Sequence, residues 1–212
     1  MSVRAAIFDF DGTVADTFDE MMRVLNGLSG EFGYRPAGPE EIELLRGLSP
    51  LDVAKRLGVT WHQIPRIVTR ARQELSHAMP RVQPFAGMRE TLAELRQRGL
   101  AVGLLTSNNR LNVQLFLDQH PIEFDFVSTG SGLWTKHHRL ARLLKREQLR
   151  GEQAAYIGDE VRDIEAGRKL GMRSVAVTWG YTASQLLAAN TPDRLVHSPT
   201  ELVDALVVPS VA

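Results

Sequence analysis

Five short apolar runs recur along the chain, AAIFDF (5–10), AVGLLT (101–106), FDFVST (124–129), AAYIGD (154–159) and SVAVTW (174–179). Between them lie stretches with helical spacing: MRETLAELRQRG (88–99), LNVQLFLDQH (111–120), HHRLARLLKREQL (137–149) and VRDIEAGRKLG (161–171), with ELVDALV (201–207) after the last run. In MRETLAELRQRG, Leu92 and Leu95 share a face and Gly99 supplies the stop. Strands that alternate with helices connect through right-handed crossovers, which gives a parallel sheet covered on both faces. The expectation is an α/β protein with a Rossmann-like, doubly wound parallel sheet.

One stretch breaks the rhythm. From about Thr17 to Pro84 there is no strand run, only helix-like segments (FDEMMRVLNGLSGEFG, PEEIELLRG, PLDVAKRLG, HQIPRIVTRARQELSHAM) punctuated by Gly and Pro. A chain of 212 residues holds one good core plus a small accessory unit. We therefore expect residues 1–16 and 85–212 to form the core and residues 17–84 an all-helical cap inserted after strand 1. The segment RVQPFAG (81–87) reads as the return linker.

In an open parallel sheet, ligands collect at the carboxyl ends of the strands, where the strand order reverses. The strand ends of this chain are polar. The first delivers Asp9 and Asp11, the second Thr106, Ser107 and Asn108, and the fourth Asp159, Glu160 and Asp163, while Lys136 precedes the helix after the third. Two unit charges 4 Å apart repel by about 4 kcal/mol at an effective dielectric near 20, so this many carboxylates call for a cation. Oxygen ligands without His or Cys favour Mg²⁺, which commonly shares its coordination with a substrate phosphate. On a straight strand, residues i and i+2 point to one side, so Asp9 and Asp11 can serve one reacting centre, one attacking phosphorus and the other moving protons. Thr106 Oγ1 and the backbone N–H groups of the turn after it, at Ser107 and Asn108, would hold phosphoryl oxygens.

With these residues in place the chain resembles the haloacid dehalogenase-like hydrolase superfamily, within it the phosphoglycolate-phosphatase-like group with a helical cap. DFDGTVADT (9–17) is similar to the first motif of that family, LLTSN (104–108) to the second, Lys136 with its following helix to the third and GDEVRD (158–163) to the fourth. The resemblance covers essentially the whole chain. It implies that Asp9 is the nucleophile, becoming an aspartyl-phosphate, and that Asp11 protonates the leaving oxygen and then activates water. It also implies Mg²⁺ held by Asp9, the Asp11 carbonyl and Asp159, with Asp163 supporting the metal or orienting Lys136. Thr106 and Lys136 would grip the transferring phosphate. Arg46, in LLRGLSP (44–50), would sit in a cap turn over the site and touch substrate. The sequence departs from the family pattern at Glu160, where a small hydroxyl residue is usual, and at His137, where Pro often follows the lysine.

Taken together these readings point to a Mg²⁺-dependent phosphoric monoester hydrolase acting on a small phosphorylated metabolite resembling phosphoglycolate. A sugar-phosphate mutase, a pyrophosphatase or nucleotidase of the same superfamily, and a catalytically idle binding relative are the alternatives. A signalling receiver takes its phosphoacceptor from a middle strand and has no insertion, which argues against that class. Lys plus Arg and Asp plus Glu each number 25, so the net charge is zero and no nucleic-acid partner is expected. Arg66, Arg70 and Arg72 make the insertion locally basic, and such runs usually form a solvated face. With no cysteine, no apolar run near the roughly 20 residues of a membrane helix, and a strand beginning almost at the N-terminus, a cytoplasmic protein without a membrane partner is expected, as a monomer or weak homodimer.

Overall fold

The computed structural model describes residues 3–45, 48, 50–130 and 136–207. Its centre is a six-stranded, all-parallel sheet. The strands are β1 (Ala5–Phe8), β2 (Ala101–Leu105), β3 (Phe126–Ser128), β4 (Ala154–Gly158), β5 (Arg173–Val177) and β6 (Arg194–Val196), in the order β3-β2-β1-β4-β5-β6. The order reverses at β1, which has β2 on one side and β4 on the other, so the crevice that gathers ligands opens above β1 and β4.

Strand β1 is buried at all four residues, as a central parallel strand must be. Its alternation divides the core in two. Ala6 and Phe8 join a cluster with Leu92 and Leu95 of α5 (Met88–Gln97), Phe116 of α6 (Arg110–Gln119) and Leu202 of α10 (Glu201–Leu206). Ala5 and Ile7 join the opposite cluster with Leu140, Leu143 and Leu144 of α7 (Lys136–Arg146) and Ala166 of α8 (Val161–Lys169). The sequence pattern did not reveal β6 or α9 (Ser184–Ala189), because RLV is a three-residue run that opens on an exposed arginine.

Between β1 and α5 the described residues form the helices α1 (Phe18–Phe32), α2 (Pro39–Leu45), α3 (Pro50–Arg56) and α4 (Ile64–Leu75), and a short 3₁₀ turn at Met79–Arg81. These helices enclose an apolar cluster of their own, built on Phe18, Met22, Leu28, Leu57 and Ile67. The two connecting segments run beside each other. The Asp16 N–H donates to the Gln83 carbonyl at 2.9 Å, the Phe85 N–H to the Val14 carbonyl at 3.2 Å, and Ala15 bridges to Pro84. The helical insertion after strand 1 expected from the sequence is therefore present.

Candidate active site

Alternation along β1 continues into the site. The Asp9 N–H still bonds to the Ile157 carbonyl of β4 at 2.8 Å, and the carboxylate reaches the side on which α7 and α8 pack. There Lys136, the first residue of α7, donates to Asp9 Oδ2 at 2.6 Å and also to Asp163 Oδ1 in the first turn of α8. All three side chains are buried. Burial opposes the lysine's charge, but Asp163 and Asp9 outweigh it and hold its pKa well above the ordinary value. Arg139, one turn along α7, donates to the carbonyls of Thr106 and Gly130 at 2.8 Å and so fixes this helix to the ends of β2 and β3.

Asp159, at the end of β4, has its two oxygens bound separately. Thr13 Oγ1 donates to Oδ1 and the Tyr181 N–H to Oδ2, each at 2.8 Å. Burial, followed by Glu160, Asp163 and Asp9, drives its pKa well above the usual carboxylate range. Backbone must pass very close to this group. Gly12 sits at φ +73°, and a Cβ there would lie 2.3 Å from Asp159 Oδ2. A Cβ at Gly158 would lie 2.3 Å from Asp163 Oδ2.

Among the described residues, Asp9, Asp159 and Asp163 bring carboxylate oxygens within 4.8 Å of one another. One ammonium faces three buried acids, and no imidazole or thiolate is in the group. That donor set suits a hard divalent cation such as Mg²⁺.

β1 ends at Phe8, two residues sooner than its apolar run suggests, so Asp11 is placed by a turn rather than by straight-strand alternation. It faces Asn108, whose Nδ2 donates to both carboxylate oxygens at 2.9 and 3.1 Å. Burial first, then the charge of Asp9, lift the Asp11 pKa to about 6 against the pull of Asn108, Thr17 and Arg72. Asn112 Nδ2 donates to Asn108 Oδ1 at 2.9 Å and to the Arg72 carbonyl at 2.8 Å, which turns the Asn108 amide so that its NH₂ meets Asp11. Asn108 was expected to act through its backbone N–H. That N–H is instead bonded to Thr106 Oγ1 at 2.9 Å, and the side chain is the part directed at the acid. Thr106, fully buried, accepts this bond and keeps its own hydroxyl proton to donate.

The basic stretch of α4 is divided between two environments. Arg70 pairs with Glu74 and Glu31 on the outside, as a solvated face would. Arg72 turns inward, donating from Nη2 to Ser107 Oγ at 3.1 Å, and so departs from the solvated reading. Its neighbour Ala71 and Leu75 are buried, so the inward register of α4 carries it to the strand ends. Arg162, unremarked beside the acids of GDEVRD, reaches the same space from α8 and donates to Glu160 Oε1 at 2.6 Å. This gives Glu160 a partner. Arg46 lies outside the described residues.

A cavity of about 280 Å³ is lined by Asp11, Ser107 and Asn108, by Arg72, Glu160, Arg162 and Tyr181, and by apolar residues of the insertion. A second cavity of about 460 Å³ shares Glu160 and Arg162 as a wall and extends to Lys136. Among the described residues, no helix is long and apolar enough to cross a membrane.

Residues 6–177 match the family model described as haloacid dehalogenase-like hydrolase. The chain is 36% identical over 206 residues to phosphoglycolate phosphatase of Synechococcus elongatus, covering 96% of this chain and 97% of that protein. It is 27% identical over 226 residues to phosphoglycolate phosphatase of Pseudomonas putida, covering 98% of this chain and 81% of the other. Among solved structures, a haloacid dehalogenase-like family hydrolase from Streptococcus pneumoniae superimposes with a TM-score of 0.81 at 24% identity, covering 97% of this chain and 99% of that one, a likeness of fold.

Proposed function

The chain belongs to the haloacid dehalogenase-like hydrolases, and within that family we propose that it is a Mg²⁺-dependent phosphatase that cleaves a small, phosphoglycolate-like monoester through an aspartyl-phosphate on Asp9. The observation that carries this reading is the Lys136 ammonium set between Asp9 and Asp163, with Asp159 beside them, at the carboxyl ends of the strands and beneath a helical insertion. The phosphoglycolate phosphatases it resembles supply the substrate class.

Asp9, Asp159 and Asp163 would hold the Mg²⁺, which when bound offsets the repulsion between these carboxylates and the substrate dianion. The chain's own groups account for the rest. Lys136 fixes Asp9 and places one positive charge next to the point of attack. An Asp9 oxygen forms a bond to phosphorus as the ester P–O bond breaks, and Asp11 gives its proton to the departing oxygen. A carboxyl with a pKa of about 6 keeps a useful protonated fraction near neutrality. Thr106 donates to a phosphoryl oxygen. In the second step Asp11 takes a proton from water, the water oxygen bonds to phosphorus, and the P–O bond to Asp9 breaks, releasing phosphate and restoring both acids. Residues 17–84 act as a cap whose closure excludes bulk water from this centre.

The test is rapid quench and mass spectrometry with acetyl phosphate. Wild type with Mg²⁺ should carry a phosphoryl group on Asp9, and Asp9→Asn should carry none and turn over nothing. Full turnover in excess chelator, or phosphate on another residue, overturns the reading.

A further inference from the structure

Of the residues given to the transferring phosphate, Ser107 and Asn108 line the 280 Å³ cavity beside Asp11, and none of them is one of the two arginines that also line it. Arg72 comes from α4 of the cap and Arg162 from α8 of the core, and both line the 280 Å³ space above Asp11. Arg162 opposes the charge on Arg72 while Asp11 and Asp9 support it, and Arg162 is itself supported by Glu160, which also lines the cavity, and by Asp163 and Asp9. Among the described residues Arg72 has no carboxylate partner, only the Ser107 hydroxyl at 3.1 Å. Arg162 is held at Nη2 by Glu160, while its buried Nε has no hydrogen-bond partner. Lining one cavity with part of their donor capacity unused, the two guanidinium groups can take an anion between them. Much of the remaining lining is apolar, including Phe18, Met22, Leu25 and Val68, and offers an anion no partner.

We propose that Arg72 and Arg162 form an anion subsite that binds a carboxylate at the end of the substrate opposite the phosphoryl group, one guanidinium being supplied by the cap and one by the core. The proposal rests on the phosphatase reading and deepens it. The substrate class is then a phosphomonoester that also bears an acid, with neutral alcohol phosphates selected against because they leave the free donors of both guanidinium groups unmet. Since the two arginines sit on different units, an acidic substrate also draws the cap onto the core, whereas a neutral one does not.

A non-hydrolysable pair of ligands separates this from the chemistry. In 3-phosphonopropionate a methylene replaces the ester oxygen of phosphoglycolate, and propylphosphonate is the same skeleton without the carboxylate. Calorimetric titration of the Mg²⁺-loaded wild type should show the acid binding about 10- to 100-fold tighter than propylphosphonate. Arg72→Gln and Arg162→Gln should each bring that ratio down toward one. Arg72→Gln carries the result should Arg162→Gln fail to fold, since Arg72 breaks no ion pair when replaced. Equal affinity of wild type for the two ligands, or variants that leave the ratio unchanged or weaken both ligands by the same factor, overturn the subsite. Failure of the phosphatase reading shows separately, as absence of phosphoryl transfer from acetyl phosphate to Asp9 in a protein whose ligand ratio is still measurable.

Discussion

Asp9 and Asp11 are two residues apart and have different neighbours: an ammonium for the first, a neutral amide for the second. Their substitutions should therefore fail differently. Asp11→Asn keeps the backbone but cannot exchange protons, so hydrolysis of alkyl phosphates should fall about 10²–10⁴-fold. With an aryl phosphate, whose leaving group needs no proton, Asp9 should still be phosphorylated and the phosphoenzyme should accumulate, which stopped-flow and mass spectrometry would read. An unchanged ratio of alkyl to aryl rates would contradict the role given to Asp11. Gly12 provides a second test at this scale. Alanine there must adopt φ +73° and place its Cβ 2.3 Å from Asp159 Oδ2. We expect a loss of about 1–3 kcal/mol in stability from the strained backbone alone and at least a tenfold loss of turnover, checked by denaturant unfolding and steady-state kinetics. At single residues the sequence was most informative about acids, because they gather at the ends of β1 and β4, which the sheet sets side by side. It was least informative about Asn108, Arg72 and Arg162, whose roles depend on which way an amide turns or on the inward register of a helix.

Among the elements, α4 and α6 share an apolar cluster through Leu75, Val113 and Phe116, and Asn112 adds a polar link between them. Asn112 on α6 donates both to the Arg72 carbonyl of α4 and to Asn108, so one amide ties α4 to α6 and orients the group that faces Asp11. Asn112→Ala should cost about 1–3 kcal/mol of stability. It should also lower kcat more than it raises KM, because Asp11 loses its oriented neighbour while the phosphate contacts persist. A purely structural role would lower the melting temperature and leave both constants near wild type. The regular elements of the core were legible because apolar runs of five or six residues and amphipathic helices follow one another with clear stops. β6 was hidden by its length and its leading arginine, and the strand ends were set by turns, which apolar patterning does not locate. The helical character of the insertion could be seen in its lack of strand runs. How its inner face meets the strand ends could not, since that depends on packing between distant segments.

For the molecule as a whole, the crowding of acids makes stability without metal depend on pH. Asp11 and Asp163 have folded pKa values raised to about 6, by burial first, with Asp9 adding to both, and Asp159 too is held well above the usual carboxylate range by burial. A raised carboxylate supports folding fully below its unfolded value near 4 and loses that support as pH rises through the folded value. Carboxylates shifted the other way, such as Glu41 at about 2, are already ionised in both states across this interval. In chelator the melting temperature should therefore fall between about pH 5 and pH 7.5, and the increment gained on adding Mg²⁺ should grow over the same range. Scanning calorimetry at the two pH values with and without Mg²⁺ reads both, and a flat or opposite trend would contradict the acid-cluster account. One more property follows from the way Ala15 and Pro84 lie side by side. The backbone leaves the core and rejoins it at almost the same point, so the core bears only the closure entropy of a loop, which rises by about 0.6 kcal/mol for each doubling of length. The excursion between those residues can accordingly be extended, shortened or exchanged at little cost to the sheet. The acid cluster at the strand ends and the helical insertion are thus separately heritable, and one can diverge while the other is kept.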